Sequence, residues 1–143
     1  ATSKAFHFSQ FSRYRGDWFE DAKHGQGVFT FASGDRYEGA WRNNKKSGYG
    51  VYVYSNGDRY EGSWENGVKS GEGKYQYSNG DSYEGSWKDN KKNGHGVYRY
   101  SDGSRYEGEY QNDLKHGKGI YYSNKGETIQ SMFRNNEIVT SDI

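Results

Sequence analysis

The residues able to do chemistry recur at one fixed interval, and that interval limits what they can do. Carboxylates stand 23 residues apart in near-identical local sequence, at Glu38, Glu61, Glu84 and Glu107. General acid–base catalysis needs two carboxyl groups whose surroundings hold their pKa values apart. Copies of one motif supply no such difference. We therefore expect no catalytic pair, and we expect these glutamates to pair with Lys or Arg of adjacent strands.

The histidines and glycine pairs do not predict a metal or nucleotide site. His24 and His116 occupy the same repeat position but lie four units apart, roughly 40 Å at about 10 Å per unit. The Gly-x-Gly pairs lead from a loop into a strand, whereas a nucleotide-binding glycine loop opens a helix. No GKS/T, GxSxG or HExxH motif is present. The sequence predicts a non-enzymatic chain that binds no metal and no cofactor.

Lysines recur at the same interval and form a charged row. We expect them in a longer polar link between the two strands of a unit, for example residues 42–47, on one edge of the sheet. Their spacing of about 10 Å is close to the Debye length, so mutual repulsion is weak. The row is either a solvated edge that keeps the array soluble or a contact for anionic lipid headgroups. The lysines are Lys23, Lys46, Lys69, Lys92 and Lys115.

A 23-residue unit, repeated without insertion from Tyr14 to Phe133, positions all of these residues. Each unit carries Tyr-x-Gly-x-Trp, then Gly-x-Gly, then a turn glycine, with substitutions near the end of the chain. Residues 1–13 form a half-unit, either a cap or part of a longer array, and residues 129–143 form a degraded unit that resembles a cap. Full units begin at Tyr14, Tyr37, Tyr60, Tyr83 and Tyr106.

Each unit reads as two strands, because apolar and polar residues alternate with period two. A two-residue turn at Asn56-Gly57 would put the rings of Tyr52 and Tyr60 on opposite faces of the sheet. A three-residue loop that begins at Ser55 pairs those two tyrosines, and every periodic ring then shares one face. The sequence therefore predicts a type I turn followed by a glycine bulge. The paired glycines are expected to leave bare backbone that a neighbouring ring covers.

The composition sets the fold class. Only 30% of residues are hydrophobic, but 18% are aromatic, including 15 Tyr and 4 Trp. Flat rings with polar edges suit a thin sheet better than a two-layer core. The net charge of +1 argues against expansion and against nucleic acid binding. The predicted fold is all-β, an elongated, twisted, single-layer antiparallel sheet of tandem β-hairpins, with residues 1–143 as one array.

The cellular location is predicted from absences in the sequence. The chain has no cysteine, which excludes disulfides and thiolate metal sites and favours the cytoplasm. No apolar run approaches the ~20 residues of a membrane-spanning helix, and no signal peptide is visible. We therefore expect a cytoplasmic protein.

Tyr-Glu-Gly-Ser-Trp at residues 60–64, Gly-Glu-Gly at 71–73 and a turn glycine at 80, all at period 23, resemble the MORN (membrane occupation and recognition nexus) repeat. Phe11 at a turn-glycine position and Tyr110 at a tryptophan position depart from the pattern, as does the eroded last unit. The resemblance implies a curved sheet with a groove on one face. It also implies scaffolding at the cytoskeleton, flagella or membrane periphery, binding of helices, or dimerisation.

The periodic rings predict a binding groove, because a single-layer sheet has no second layer to cover them. Any one ring could instead belong to the core of the sheet. The leading hypothesis is a non-catalytic scaffold whose aromatic groove binds a partner helix, an extended peptide or a second copy of the chain. The predicted groove residues are Tyr37, Trp41, Tyr52, Tyr60, Trp64, Tyr75, Tyr83, Trp87, Tyr98 and Tyr106.

Other functions stay open at this point. Aromatic–glycine hairpin repeats of about this length also bind choline or glycans in bacterial surface proteins, although those favour a Trp-Tyr-Tyr core that this chain does not share. The lysine row could contact anionic phospholipid. The array could also be the regulatory part of a larger enzyme, since related arrays accompany kinase or methyltransferase domains.

Overall fold

The protein forms one open antiparallel sheet in which every strand pairs with the strands before and after it in sequence. The structure is a computed structural model that describes residues 3–7 and 12–139. Within these residues 13 strands follow one another in chain order, which confirms the predicted single-layer all-β array. Phe11, noted above as a departure from the repeat, lies outside the described residues.

The strands have the following bounds: β1 Ser3–His7, β2 Arg13–Phe19, β3 Ala22–Thr30, β4 Arg36–Arg42, β5 Lys45–Val53, β6 Arg59–Glu65, β7 Val68–Gln76, β8 Ser82–Lys88, β9 Lys91–Arg99, β10 Arg105–Gln111, β11 Leu114–Tyr122, β12 Thr128–Arg134 and β13 Glu137–Ile138.

The turn between units has the predicted three-residue geometry. Tyr52 pairs with Tyr60 across β5 and β6. The Tyr54 N–H donates to the Asp58 carbonyl at 2.9 Å, and the Gly57 N–H donates to the Tyr54 carbonyl at 3.0 Å. Gly57 has φ +97°, a left-handed conformation that glycine adopts without steric cost. The periodic rings therefore share one face, as predicted.

The link between the two strands of a unit is shorter than the predicted loop at residues 42–47, and that prediction is wrong. The strands extend to Arg42 and resume at Lys45, leaving a two-residue turn. Asn43 and Asn44 have φ of 48° and 67°, the left-handed pair of a type I′ turn. Asparagine tolerates this conformation better than most residues, so the polar residues serve the turn.

A bulge behind each of these turns decides which face the lysines occupy. Gly39 pairs with Gly50 and Trp41 with Lys46, so one residue on β4 faces three residues on β5. Gly48, with φ +96°, lies in the wider segment. Because the excess is two residues, the alternation of faces is kept, and Lys46 shares a face with Trp41. The lysines are strand residues, and the predicted loop-edge position is wrong.

Tyrosine rings cover the paired glycines. A Cβ atom on Gly50 would overlap the hydroxyl of Tyr37, and one on Gly39 would lie 2.6 Å from the carbonyl oxygen of Tyr49. The Tyr37 hydroxyl donates to the Ala40 carbonyl at 2.7 Å. The predicted bare strip is therefore present, and the tyrosine of the same unit fills it.

The rings join successive units into a continuous core. Tyr37 contacts Trp41 of its own unit with ring centroids 5.0 Å apart at 81°, and Trp64 of the next unit at 5.5 Å and 89°. Edge-to-face pairs contribute about 0.5–1.5 kcal/mol beyond their buried area. The Trp64 Nε1–H also donates to the Gly50 carbonyl of the preceding unit at 3.2 Å. The buried rings are Tyr14, Tyr37, Trp41, Tyr60, Trp64, Tyr83, Trp87, Tyr106 and Tyr110.

The two-residue turns also connect one unit to the next. The Asn90 side-chain oxygen accepts the Lys69 N–H at 2.8 Å, and the Asn90 N–H donates to the Lys69 carbonyl at 3.1 Å. Asp113 makes the same pair of bonds to Lys92. Gly67 keeps only the backbone bond, to Lys46, because it has no side chain to accept the other.

The glutamates of the periodic ladder form their ion pairs within a strand, although other residues of the polar face, such as His95 and Glu109, pair between strands. Glu61 pairs with Arg59 at 2.7 Å and Glu107 with Arg105 at 2.8 Å, two residues apart on one strand. The expected pairing with Lys or Arg of adjacent strands is therefore wrong for Glu61 and Glu107, and likewise for Glu38, which pairs with Arg36 at 3.1 Å. Ser82 stands where these arginines do in the unit that contains Glu84. These exposed pairs contribute little to stability.

The degraded last unit keeps the register of the array. Ile129 pairs with Tyr121 and Phe133 with Gly117, and the Phe133 ring contacts the Tyr106 ring at 5.5 Å and 90°. Ile129 is 58% exposed, whereas the tyrosines at this position of the full units are fully buried. Its assignment as a cap stays a prediction.

We predict that Gly62→Ala lowers the free energy of unfolding by at least about 2 kcal/mol, as overpacking of a core does. A Cβ there would lie 2.6 Å from the Glu72 carbonyl oxygen and overlap the Cα of Gly73, and backbone atoms of a paired strand cannot move aside. Chemical denaturation followed by circular dichroism measures the change. Ser63→Ala, on the other face of the same strand, is the control, and we expect a change below ~0.5 kcal/mol. Equal stability of the two variants contradicts the account.

Candidate functional site

The predicted groove residues divide into two sets that differ in exposure. Seven of the ten are buried, with exposures between 0% and 6%. These rings have almost no surface left for a partner, so the groove assignment is corrected for them. The seven are Tyr37, Trp41, Tyr60, Trp64, Tyr83, Trp87 and Tyr106. The other three, Tyr52, Tyr75 and Tyr98, are half-buried and still offer ring surface.

A second set of rings completes the accessible surface. Tyr54 contacts Tyr52 of its own unit at 4.4 Å between ring centroids and Tyr75 of the next unit at 5.6 Å. Tyr77 makes the same contacts one unit on. We call the resulting line of half-buried rings the tyrosine row. It consists of Phe29, Phe31, Tyr52, Tyr54, Tyr75, Tyr77, Tyr98 and Tyr100.

Sequence reasoning missed five of the eight rings in this row, although the signal was present. Tyr54, Tyr77 and Tyr100 recur at period 23 and stand two residues after a predicted groove tyrosine. Two residues along a strand return to the same face. They adjoin the turn, and nothing in the repeat pattern favours them over the tyrosines within the strand.

Aspartates in the turns hold the tyrosine row in place. The Asp58 carboxylate accepts the Tyr75 hydroxyl at 2.7 Å and the Ser78 N–H at 2.8 Å, both from the next unit. Burial raises the pKa of the Asp58 carboxyl, but these hydrogen bonds outweigh burial and hold its pKa below the usual value. Asp35 and Asp81 make equivalent bonds.

This aspartate bridge was also missed by sequence reasoning, although the residue after the turn glycine recurs at period 23. Ser104 stands at the next equivalent position. It is buried, and its hydroxyl donates to Asp102 in its own turn at 2.6 Å. The bridge from one unit to the next is therefore replaced by a bond within one turn.

The five periodic lysines, which we call the lysine row, lie among aromatic rings. The Lys69 Nζ is 5.7 Å from the centroid of Tyr54, 5.4 Å from that of Tyr75 and 5.3 Å from that of Trp87. These rings belong to three successive units. An ammonium group over ring faces gains cation–π attraction of about 0.5–2 kcal/mol. Lys23, Lys46, Lys92 and Lys115 lie in equivalent surroundings.

Burial disfavours the charged form of the lysines in this row. Burial lowers the pKa of Lys69 to about 8, with smaller contributions from Asp113, which opposes the shift, and from Lys46 and Lys92, which add to it. Burial also lowers the pKa of Lys46 and Lys92. Within the described ranges, none of these three lysines forms an ion pair with a carboxylate. Contact of the row with an anionic surface stays a prediction.

The histidines do not assemble a site. The Nδ1 atoms of His24 and His116 are buried and make no hydrogen bond to the described residues. In the part of the chain that the structure covers, no three His, Cys, Asp or Glu side chains come close enough to hold a metal ion. None of the described residues belongs to a helix of the length and apolarity that a membrane crossing requires.

Comparison with known proteins identifies the repeat. A family model described as MORN repeat matches residues 14–36, 37–59, 60–82, 83–105 and 106–128, which begin at the same tyrosines as the five full units. No curated protein sequence matches the chain. A solved structure of a SAS-4 (dCPAP) TCP domain from Drosophila melanogaster, in complex with a proline-rich motif of Ana2 (dSTIL), is similar over 97% of this chain and 90% of that one, with 14% identity and a TM-score of 0.46.

We predict that Asp58→Asn lowers the free energy of unfolding by about 1–2 kcal/mol, because an amide nitrogen cannot accept a hydrogen bond. The loss of stability relative to the wild type is full above the usual carboxyl pKa of about 4. It shrinks as the pH falls through the depressed pKa of Asp58 in the folded protein. Denaturation at several pH values measures it. Asp113→Asn is the matched control and should change stability by less than ~0.5 kcal/mol, since Asn90 makes the equivalent bond with an amide oxygen. Asp113 is exposed, so the loss of its attraction for Lys69 adds little. A similar loss of stability in the control contradicts the role of the Asp58 carboxylate in joining neighbouring units.

A second prediction concerns alkaline pH. Burial raises the pKa of Tyr106 to about 12 and shifts the pKa of Tyr37, Tyr60 and Tyr83 upward as well. A folded pKa above the unfolded value of about 10 means that stability is full below pH 10 and falls as the pH rises through the folded pKa. Tyrosinate absorbance of the buried rings should therefore appear together with loss of the β-sheet circular dichroism signal. Full ionisation near pH 10 with the sheet retained would show that the rings are not buried.

Proposed function

The chain belongs to the MORN repeat family, and with that as premise we propose that it is a non-catalytic scaffold whose tyrosine row binds a segment of a partner protein. One observation carries the proposal: the row runs from unit to unit along a one-layer sheet. Each successive ring is half-buried and keeps part of its surface open.

The rigidity of the row supports this function. The rings are spaced 4.4–5.7 Å apart from Tyr52 to Tyr98 and are backed by the buried tyrosine–tryptophan core. Their hydroxyls are fixed in part by the turn aspartates. Tyrosine on a rigid support gives a large amphipathic contact at low cost in side-chain entropy, which is why interfaces are enriched in it.

The geometry disfavours the choline-binding alternative. A quaternary ammonium ligand is recognised by a cage of aromatic faces. Here the corresponding space between Tyr54, Tyr75 and Trp87 is filled by the ammonium group of Lys69. A second copy of the chain or an anionic membrane stays an alternative occupant of the face. A cytoplasmic location near the cytoskeleton, a flagellum or a membrane stays an expectation from the sequence.

We predict that the double variant Tyr54→Ser/Tyr77→Ser loses partner binding while keeping its fold. Peptides are selected from a random display library against the wild-type chain, synthesised, and their affinities measured by fluorescence anisotropy. Removing two rings from the row should weaken binding by about tenfold or more, since aromatic anchors contribute about 1–2 kcal/mol or more each.

The matched control is Tyr49→Ser, which removes an exposed tyrosine from the opposite face, where it is 59% exposed. Its affinities should equal those of the wild type. Peptides that bind the double variant as tightly as the control, or a library without binders, refute binding by the tyrosine row. Light scattering of the wild-type chain and its binding to vesicles containing phosphatidylserine test the two alternative occupants.

A further inference from the structure

We infer that the segment bound by the tyrosine row is acidic and extended, with carboxylates at every third residue that pair with Lys46, Lys69 and Lys92. This inference rests on the proposed function and specifies the chemistry of the partner. The observation behind it is an imbalance of charge on the aromatic face.

The carboxylates of the described residues leave these lysines without a partner. Asp35, Asp58 and Asp81, beside the tyrosine row, are engaged by tyrosine hydroxyls and serine N–H groups of the next unit. The strand glutamates lie on the other face, where Arg36, Arg59 and Arg105 pair with three of them. Asp113 attracts Lys69 and Lys92 but forms no ion pair with either of them. The aromatic face therefore presents positive charge that the described residues neutralise only in part.

The lysines pay a desolvation penalty in the free protein that a bound anion would offset. Burial lowers the pKa of Lys46, Lys69 and Lys92, which shows that the charged form is disfavoured there. All three residues are half-buried, so each keeps part of its surface open to a partner. A partly desolvated ion pair is less screened by salt than one on an open surface.

The spacing of the row specifies the spacing of the partner's charges. Each unit adds two strands, so successive lysines stand about 10 Å apart along the array. A polyproline II segment has three residues per turn and rises ~3.1 Å per residue, which puts every third side chain on one side at about 9.3 Å. An α-helix would need a carboxylate at every seventh residue to match the same interval of about 10 Å.

The hydroxyl groups of the row favour the extended segment over the helix. Tyr54 and Tyr77 are half-buried, and their hydroxyls make no hydrogen bond to the described residues, unlike that of Tyr75. An extended segment has free backbone carbonyls that accept from such hydroxyls, whereas a helix uses its carbonyls internally. The tyrosine row therefore complements both the backbone and the charges of an extended acidic chain.

The test uses three synthetic peptides of about twelve residues, long enough to span three lysines. The first has Glu at every third position, with proline and alanine between. The second has the same composition with the glutamates contiguous, and the third has Gln in place of Glu. Affinity for the wild-type chain is measured by fluorescence anisotropy at low and moderate salt. We expect the first peptide to bind about tenfold more tightly than the other two, with affinity falling as salt rises.

The protein side of the test is a charge-matched pair of triple variants. Lys46→Gln/Lys69→Gln/Lys92→Gln should reduce binding of the first peptide to the level of the Gln peptide. The control Lys45→Gln/Lys88→Gln/Lys91→Gln removes the same charge from exposed positions and should bind as the wild type does. Circular dichroism verifies folding. If the first variant does not fold, the comparison of the Glu and Gln peptides on the wild-type chain decides the question.

The outcomes separate this inference from the scaffold proposal. Equal binding of all three peptides, lost in Tyr54→Ser/Tyr77→Ser, overturns the acidic partner and leaves the scaffold intact. Preference for a helical peptide with Glu at every seventh residue overturns the extended conformation. If none of the peptides binds, the inference fails, and the library selection decides the scaffold proposal independently.

Discussion

The whole array depends on one steric fact: a tyrosine ring occupies the space that two paired residues leave by having no Cβ atom. Gly39 and Gly50 face each other across β4 and β5, and the ring of Tyr37 lies over them with no exposed surface. A sheet with one layer has no opposing sheet to pack against. Here the backbone of the sheet itself is the second wall of the core, and the phenol hydroxyl is satisfied by a carbonyl of its own strand.

Cohesion between units follows from the same arrangement. Each tryptophan packs edge-to-face on the tyrosine of the preceding unit and donates its indole N–H to a glycine carbonyl there, as Trp64 does to Gly50. Because a unit completes its neighbour's core, stability arises from nearest-neighbour contacts, as in other repeat proteins. The rings left over from this packing form the tyrosine row, so the candidate binding surface is a direct product of how the core is built.

The sequence was enough to predict the sheet, the unit boundaries and the hairpin register. A two-residue loop would put Tyr52 and Tyr60 on opposite faces of the sheet, whereas a three-residue loop puts them on one face. The number of loop residues is therefore decided by the shared face of the rings. Burial was not predictable in the same way, because period-two alternation cannot tell a ring that covers its own backbone from one that awaits a partner. Lys46 was misplaced because the bulge at Gly48 interrupts pairing in a segment that reads as a polar loop.

The substitutions at Ser104 and Tyr110 fall at one junction, between the unit that starts at Tyr83 and the unit that starts at Tyr106. Serine removes the aspartate bridge, and tyrosine has no indole N–H to reach back to the preceding glycine carbonyl. The turn bonds between Asp113 and Lys92 remain there. The following junction, to the degraded last unit, has Glu127 and Phe133 at the same two positions. The contacts that join neighbouring units therefore become fewer toward the C-terminal end of the array, and we expect its resistance to bending to fall in that direction.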